Sequence, residues 1–258
     1  MAEHRIELNT YRAELHIHTV LSPCAAVEMI PPLIIQTAEE KGINLIAITD
    51  HNSISNVDAV MQASQGTNVH VIPGIELQTR EEIHNICLFD HYSKLKSFFS
   101  SIKHAFPALP NNPDFFGEQF IVDKNGDFIE REKRLLSVSS KLSLKDAWQA
   151  AKDHHGLLIP AHVNRNLFGL LPVLGFVPTD IDLSILEISK HSSSQQIINQ
   201  YPQLQNFGLI QSGDAHLLEE IIGYNQFSIA EPTIAEIQMA LKGTYGRSYK
   251  NLKENPPG

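Results

Sequence analysis

The stretch Arg12-Ala13-Glu14-Leu15-His16-Ile17-His18-Thr19 decides how this chain is read. It is a short run that closes on a His-x-His pair. Residues i and i+2 of a strand point to the same side, so His16 and His18 can turn both imidazoles toward one metal region. The pattern recurs outward along the chain. Seven short runs, Arg12–Ile17, Asn44–Thr49, Val69–Ile75, His84–Phe89, Leu157–Pro160, Leu183–Ile188 and Phe207–Gln211, alternate with longer helical patterns. Pro31–Lys41 has Pro at its start and Gly42 just past its end, the asymmetry expected of a helix. Ser143–His155 opens on Ser143 as N-cap and stops at Gly156, and Pro232–Lys242 stops at Gly243 in the same way. Strand–helix alternation of this kind predicts a mostly parallel sheet covered by helices.

One segment breaks the rhythm. Residues 106–142 hold three prolines and the turn signal Asn125-Gly126, between Gln119–Asp123 and Asp127–Arg131. This reads as a hairpin inserted into a single domain over 1–258, either a functional loop or surface decoration.

The bulk numbers fit such a domain. The chain has 258 residues, 42% hydrophobic and 19% charged, enough for an ordinary core. The start, Met1-Ala2-Glu3-His4-Arg5, has no apolar stretch of a secretory leader. Two cysteines, Cys24 and Cys87, cannot build a disulfide framework. A cytoplasmic location with no membrane partner is the expectation. The net charge of −9 and the lack of any Lys/Arg block disfavour nucleic acid as a partner, oligonucleotide ends excepted. The oligomeric state is not legible.

The thirteen histidines matter through their placement. His16 and His18 belong to the first run, Asp50 and His51 to the second, Glu76 to the third, and His84 opens the fourth. His162 follows the fifth, Glu187 and His191 the sixth, Asp214 and His216 the seventh. Strand C-termini of a parallel barrel share one face, so these distant residues would converge there. Imidazole and carboxylate suit Zn, Mn or Fe, and a carboxylate such as Glu76 can bridge two ions about 3.5–4 Å apart. Taken singly, each residue has a bland reading: a satisfied polar group at a strand end, a helix cap for Asp50, a pair with Lys190 for Glu187. Together they do not, because burying so many titratable groups without metal is costly. His70, His91 and His104 have no ligand-like context, and Cys87 is expected to face the helices.

Read in order, Glu14-Leu15-His16-Ile17-His18-Thr19, Ile48-Thr49-Asp50-His51-Asn52, Gly74-Ile75-Glu76, Pro160-Ala161-His162 and Ser212-Gly213-Asp214-Ala215-His216 resemble the PHP (polymerase and histidinol phosphatase) superfamily. The resemblance implies a distorted (β/α)7 TIM-like barrel with two or three divalent metal ions at its C-terminal rim. One metal would take His16, His18, Glu76 and Asp214. A second would share Glu76 and take His84 and His162. A third would take His51 and His216 with a residue after the first motif. Where some members have a histidine there, this chain has Cys24, a zinc-type ligand or a small residue packed beside Pro23.

The activity so implied is a metal-dependent phosphoesterase that hydrolyses a small phosphomonoester through a metal-activated water. Arg165 and Lys190 are the candidate phosphate-binding cations. His51 or His191, with Arg165, would complete the catalytic set. The alternatives are a C–N hydrolase of amidohydrolase type and a non-catalytic binding or regulatory module.

Overall fold

The computed structural model describes residues 7–254. The reading of Met1–Arg5 lies outside them. Eleven strands are present among the described residues: β1 (Asn9–Ile17), β2 (Leu45–Ile48), β3 (His70–Gln78), β4 (His84–Leu88), β5 (Phe120–Val122), β6 (Phe128–Arg131), β7 (Leu157–Pro160), β8 (Ile185–Ile188), β9 (Gly208–Gln211), β10 (Asn225–Ile229) and β11 (Ser248–Asn251). The helices are α1 (Pro31–Glu40), α2 (Val57–Ala63), α3 (Tyr92–Ile102), α4 (Pro113–Phe116), α5 (Leu144–Asp153), α6 (Leu170–Leu174), α7 (Ser194–Gln200) and α8 (Ile234–Lys242).

All seven runs are strands, and the three helical patterns are α1, α5 and α8. Pro opens α1, and Ser143 caps α5 by accepting from the Asp146 amide in a reciprocal box. Gly243 ends α8 in the left-handed region at φ 63°.

The main sheet is curled and runs β11-β10-β1-β2-β3-β4-β7, with β8 and β9 as a separate parallel pair. Backbone bonds carry the curl onward. The Val163 amide donates to the Glu187 carbonyl (2.8 Å), and Ala215 exchanges bonds with His16 and His18 (both 2.9 Å), which brings the end of β9 back beside β1. This is an α/β fold of distorted TIM-like form.

It differs from seven parallel units in two ways. β4 runs antiparallel to both β3 and β7, and β10–β11 adds an antiparallel hairpin to the outer edge of β1. The first difference has a direct cause. Residues 79–83 between β3 and β4 can close a hairpin but are too few for a parallel crossover. The second arises from strands whose half-buried alternation carries little apolar signal.

Alternation splits the core into two layers. Ile46, Ile48, Cys87 and Leu186 pack with Ile34, Leu95 and Phe98 of the helices. Leu45, Ala47, Ile86, Leu88 and Ile185 face the other side, with Ile237 and Ala240 of α8. Glu76 follows Ile72 at even spacing, and His84 precedes Ile86 and Leu88 in the same way, so both share the second face. No described helix is long and apolar enough to cross a membrane.

Candidate metal centre

Three strand ends meet first. His51 bridges Glu76 in parallel register, and the Glu76 amide donates to the Asp50 carbonyl (3.1 Å). Because β4 is antiparallel, its first residue, His84, reaches the rim that the other strands reach with their last. His84 Nδ1 stands 2.9 Å from Glu76 Oε1, and His51 Nδ1 stands 2.7 Å from Glu76 Oε2.

The His-x-His pair closes the other side. The Nε2 atoms of His16 and His18 are 3.2 Å apart. His16 Nε2 lies 3.2 Å from Glu76 Oε1 and 3.3 Å from Asp214 Oδ1, and His18 Nε2 lies 3.3 Å from the same Asp214 oxygen. Two donors each about 2.0–2.1 Å from one ion at the tetrahedral angle would stand roughly 3.3 Å apart. The observed spacings match that separation.

Three groups of side chains could therefore hold an ion: His16, His18, Glu76 and Asp214; His51, Glu76 and His84; and His18, His51 and His216. His162 joins at Glu76, with Nε2 3.4 Å from Oε1. The fit rests on an observation independent of these distances. Both oxygens of Glu76 and both ring nitrogens of His162 are buried, with no hydrogen-bond partner among the described residues. The nearest imidazole nitrogens stand 2.7 and 2.9 Å from the Glu76 oxygens, yet no hydrogen bond is formed there. An unsatisfied buried carboxylate is expensive unless a cation meets it.

The charges agree. Burial alone would raise Glu76, but His84, His16 and His51 hold it well below the usual carboxylate range. Burial pushes His84 down to about 4, so its ring is a neutral, ligand-competent imidazole. Asp214 is held low by His16 and His18 against the effect of burial. Strained backbone gathers here too. His162 (φ 29°), Asp214 (φ 50°) and Asn52 (φ 46°), the residue after His51, occupy the positive-φ region.

Cys24 is exposed at the rim. Burial raises its thiol, but hydrogen bonds with His216 and His51 prevail and bring it down to about 6. The thiol stands beside these two histidines, and the ligand group found there is His18, His51 and His216 without it.

Other expected residues fall elsewhere. Asp50 is fully buried but not among the ligand groups. Its Oδ1 accepts from the Thr19 amide and the Ser22 hydroxyl, and its Oδ2 from the Thr19 hydroxyl, all at 2.7 Å. With its oxygens so engaged, Asp50 orders the loop after β1. Ser22 in turn meets His18 Nδ1 at 2.9 Å. Arg165 is exposed beside the centre, with Nη1 donating to Asp214 Oδ2 (2.7 Å). Lys190 pairs with Glu220 at 2.6 Å, not with Glu187. His191 is exposed on the cavity wall and is not among the ligand groups.

Glu187 has a role the sequence did not separate from ligation. Its Oε1 meets His16 Nδ1 at 3.0 Å and accepts from the His162 amide at 3.1 Å. A carboxylate on Nδ1 selects the tautomer that leaves Nε2 free for metal. Glu14, two residues before His16 on β1, is also buried and accepts from the amides of Gly213 (2.8 Å) and Gly223 (3.0 Å). It ties down the loop that carries Asp214 and His216. The 106–142 segment is anchored to the rim as well. Asn52 Nδ2 donates to the carbonyls of Leu136 and Val138, both at 2.8 Å, and Ser137 lines the cavity above the centre.

The chain belongs to the PHP domain family, whose model matches residues 14–159. An uncharacterized protein of Methanocaldococcus jannaschii, MJ1587, is 35% identical over 80 residues, 27% of this chain and 46% of that protein. The lesion-specific endonuclease PfuEndoQ of Pyrococcus furiosus shares the fold, with a TM-score of 0.73 and 19% identity over 93% of this chain and 58% of the endonuclease. A Bifidobacterium adolescentis protein provisionally assigned as a metal-dependent phosphoesterase superposes with a TM-score of 0.54, at 16% identity over 82% of this chain and 90% of its own. The chain thus spans about half the length of the first two proteins.

Proposed function

We propose that this chain is a metal-dependent phosphoesterase, read as one PHP-type unit over 1–258 with an insertion at 106–142, that hydrolyses a small phosphomonoester in the cytoplasm. The observation that carries this reading is Glu76. It is a fully buried carboxylate with no hydrogen-bond donor, set among His16, His51, His84 and His162. Two or three zinc, manganese or iron ions, held by the ligand groups with Cys24 in the outermost, would supply Lewis acidity and lower the pKa of water.

The chain's own residues do the rest. Glu187 and Ser22 fix the His16 and His18 rings. Arg165 keeps exposed guanidinium donors beyond its contact with Asp214 and turns them to the phosphoryl oxygens. Lys190 adds charge from the same wall. His191, exposed there, gives its proton to the departing alkoxide.

The test is metal content by mass spectrometry, followed by phosphate release from a monoester panel with manganese or zinc. At least two ions per chain and chelator-sensitive turnover are expected. Metal-replete protein that releases no phosphate refutes the reading. A second reading, cleavage at nucleic-acid ends or lesions, draws support from the match to PfuEndoQ over 93% of this chain. Turnover of an oligonucleotide carrying an abasic site, with none on the monoester panel, would favour it.

A further inference from the structure

The cavity above the centre measures about 840 Å³. That is far more than a phosphate fills and lies in the range of sites that enclose whole small ligands. Its outer walls must therefore meet the rest of the substrate. Phe168 and Leu217 are the apolar side chains there.

Phe168 is held in place from three sides. Its ring lies parallel to His84, with centroids 4.4 Å apart and planes 4° from parallel. Its carbonyl accepts from the His84 amide at 3.0 Å. Its φ of 62° is a conformation that bulky residues avoid. The turn behind it is closed tightly, because a Cβ on Gly169 would stand 2.2 Å from the Arg165 carbonyl. A flat ring is thus fixed three residues from the cation that reaches Asp214. Cations are few by comparison. Among the described lining residues, the lysine and arginine are Lys190 and Arg165, each already paired with a carboxylate. That leaves little charge for a second phosphate.

We propose that Phe168 is a specificity-determining residue. Its ring contacts a planar, uncharged group on the alcohol side of the scissile ester, so the substrate class is the monophosphate of a nucleoside or similar ring-bearing alcohol, not a sugar phosphate or bisphosphate. This rests on the phosphoesterase reading.

The test compares kcat/KM for adenosine 5′-monophosphate and glycerol 3-phosphate in metal-loaded protein. Both leaving groups are alkyl alcohols, so the ratio reports recognition and not leaving-group reactivity. Wild type is expected to favour the nucleotide at least tenfold. Phe168→Ala should lower that ratio by about tenfold, the order of one base–aromatic stack, while Phe168→Tyr retains it. An unchanged ratio at unchanged metal content overturns the proposal. Where Phe168→Ala loses metal through its contact with His84, Phe168→Leu takes its place with the same two outcomes. If wild type hydrolyses neither ester, the phosphoesterase reading fails separately. Calorimetric binding of adenosine 5′-monophosphate then decides: about tenfold weaker binding to the variant upholds the ring contact, and equal binding refutes it.

Discussion

Glu76 and Glu14 are both fully buried carboxylates in the sheet, and their surroundings are opposites. Around Glu14, backbone amides of Gly213, Ile222 and Gly223 converge on the two oxygens. Around Glu76 no hydrogen-bond donor is aligned, and imidazole nitrogens stand where a cation would satisfy acid and base alike. Asp50 belongs with Glu14, since its oxygens are met by Thr19 and Ser22. A buried acid surrounded by amides and hydroxyls organises the chain. A buried acid surrounded by lone pairs waits for a metal.

The comparison breaks most sharply at Glu76. Glu76→Ala should reduce phosphate release by roughly a thousandfold or more, on the scale of lost transition-state charge stabilisation, and lower the metal stoichiometry. Full metal content with near-wild-type turnover would put Glu76 in the same class as Glu14. Next comes Glu187→Gln, which loses the strong acceptor on His16 Nδ1. Metal affinity measured by chelator competition should fall about 10–100-fold, as for other carboxylates behind a ligating histidine. Unchanged affinity would show that the ring is oriented by packing alone.

Asp50→Ala should separate structure from ligation. It strands the buried Thr19 amide and should cost about 1–3 kcal/mol in urea unfolding while the metal count is retained. Loss of one ion per chain, with stability intact, would return Asp50 to the ligands.

Glu14→Gln has the least effect at neutral pH and shows itself in pH dependence. Burial raises the Glu14 carboxyl to about 7, against backbone hydrogen bonds that lower it. The unfolded value is about 4.3, so the folded state holds the proton more tightly. The group's contribution is complete below that unfolded value and is lost as pH climbs through 7. Unfolding midpoints of wild type should therefore fall more steeply between pH 5 and 7.5 than those of Glu14→Gln. Parallel slopes would mean that Glu14 is ionised throughout.

Much of this was legible from residue order. The seven runs are seven strands, and the His-x-His pair presents its Nε2 atoms side by side as period-2 geometry requires. The direction of β4 was open to inference from the short 79–83 connection, and it explains why His84 sits at the start of its run and still reaches the rim. β10 and β11 escaped notice because half-buried strands rich in polar residues resemble loops.

Local sequence settled the types of side chain, their spacing along each strand and the helix ends, because these depend on periodicity and capping within a few residues. It could not rank the acids. Whether Glu14, Asp50, Glu76 or Glu187 meets metal depends on which distant groups fold against it: Gly213 and Gly223, Thr19 and Ser22, five imidazoles, or His16. Hydrogen bonds between residues some 30 to 200 positions apart made that choice, and only the closed tertiary structure brings those donors and lone pairs within reach.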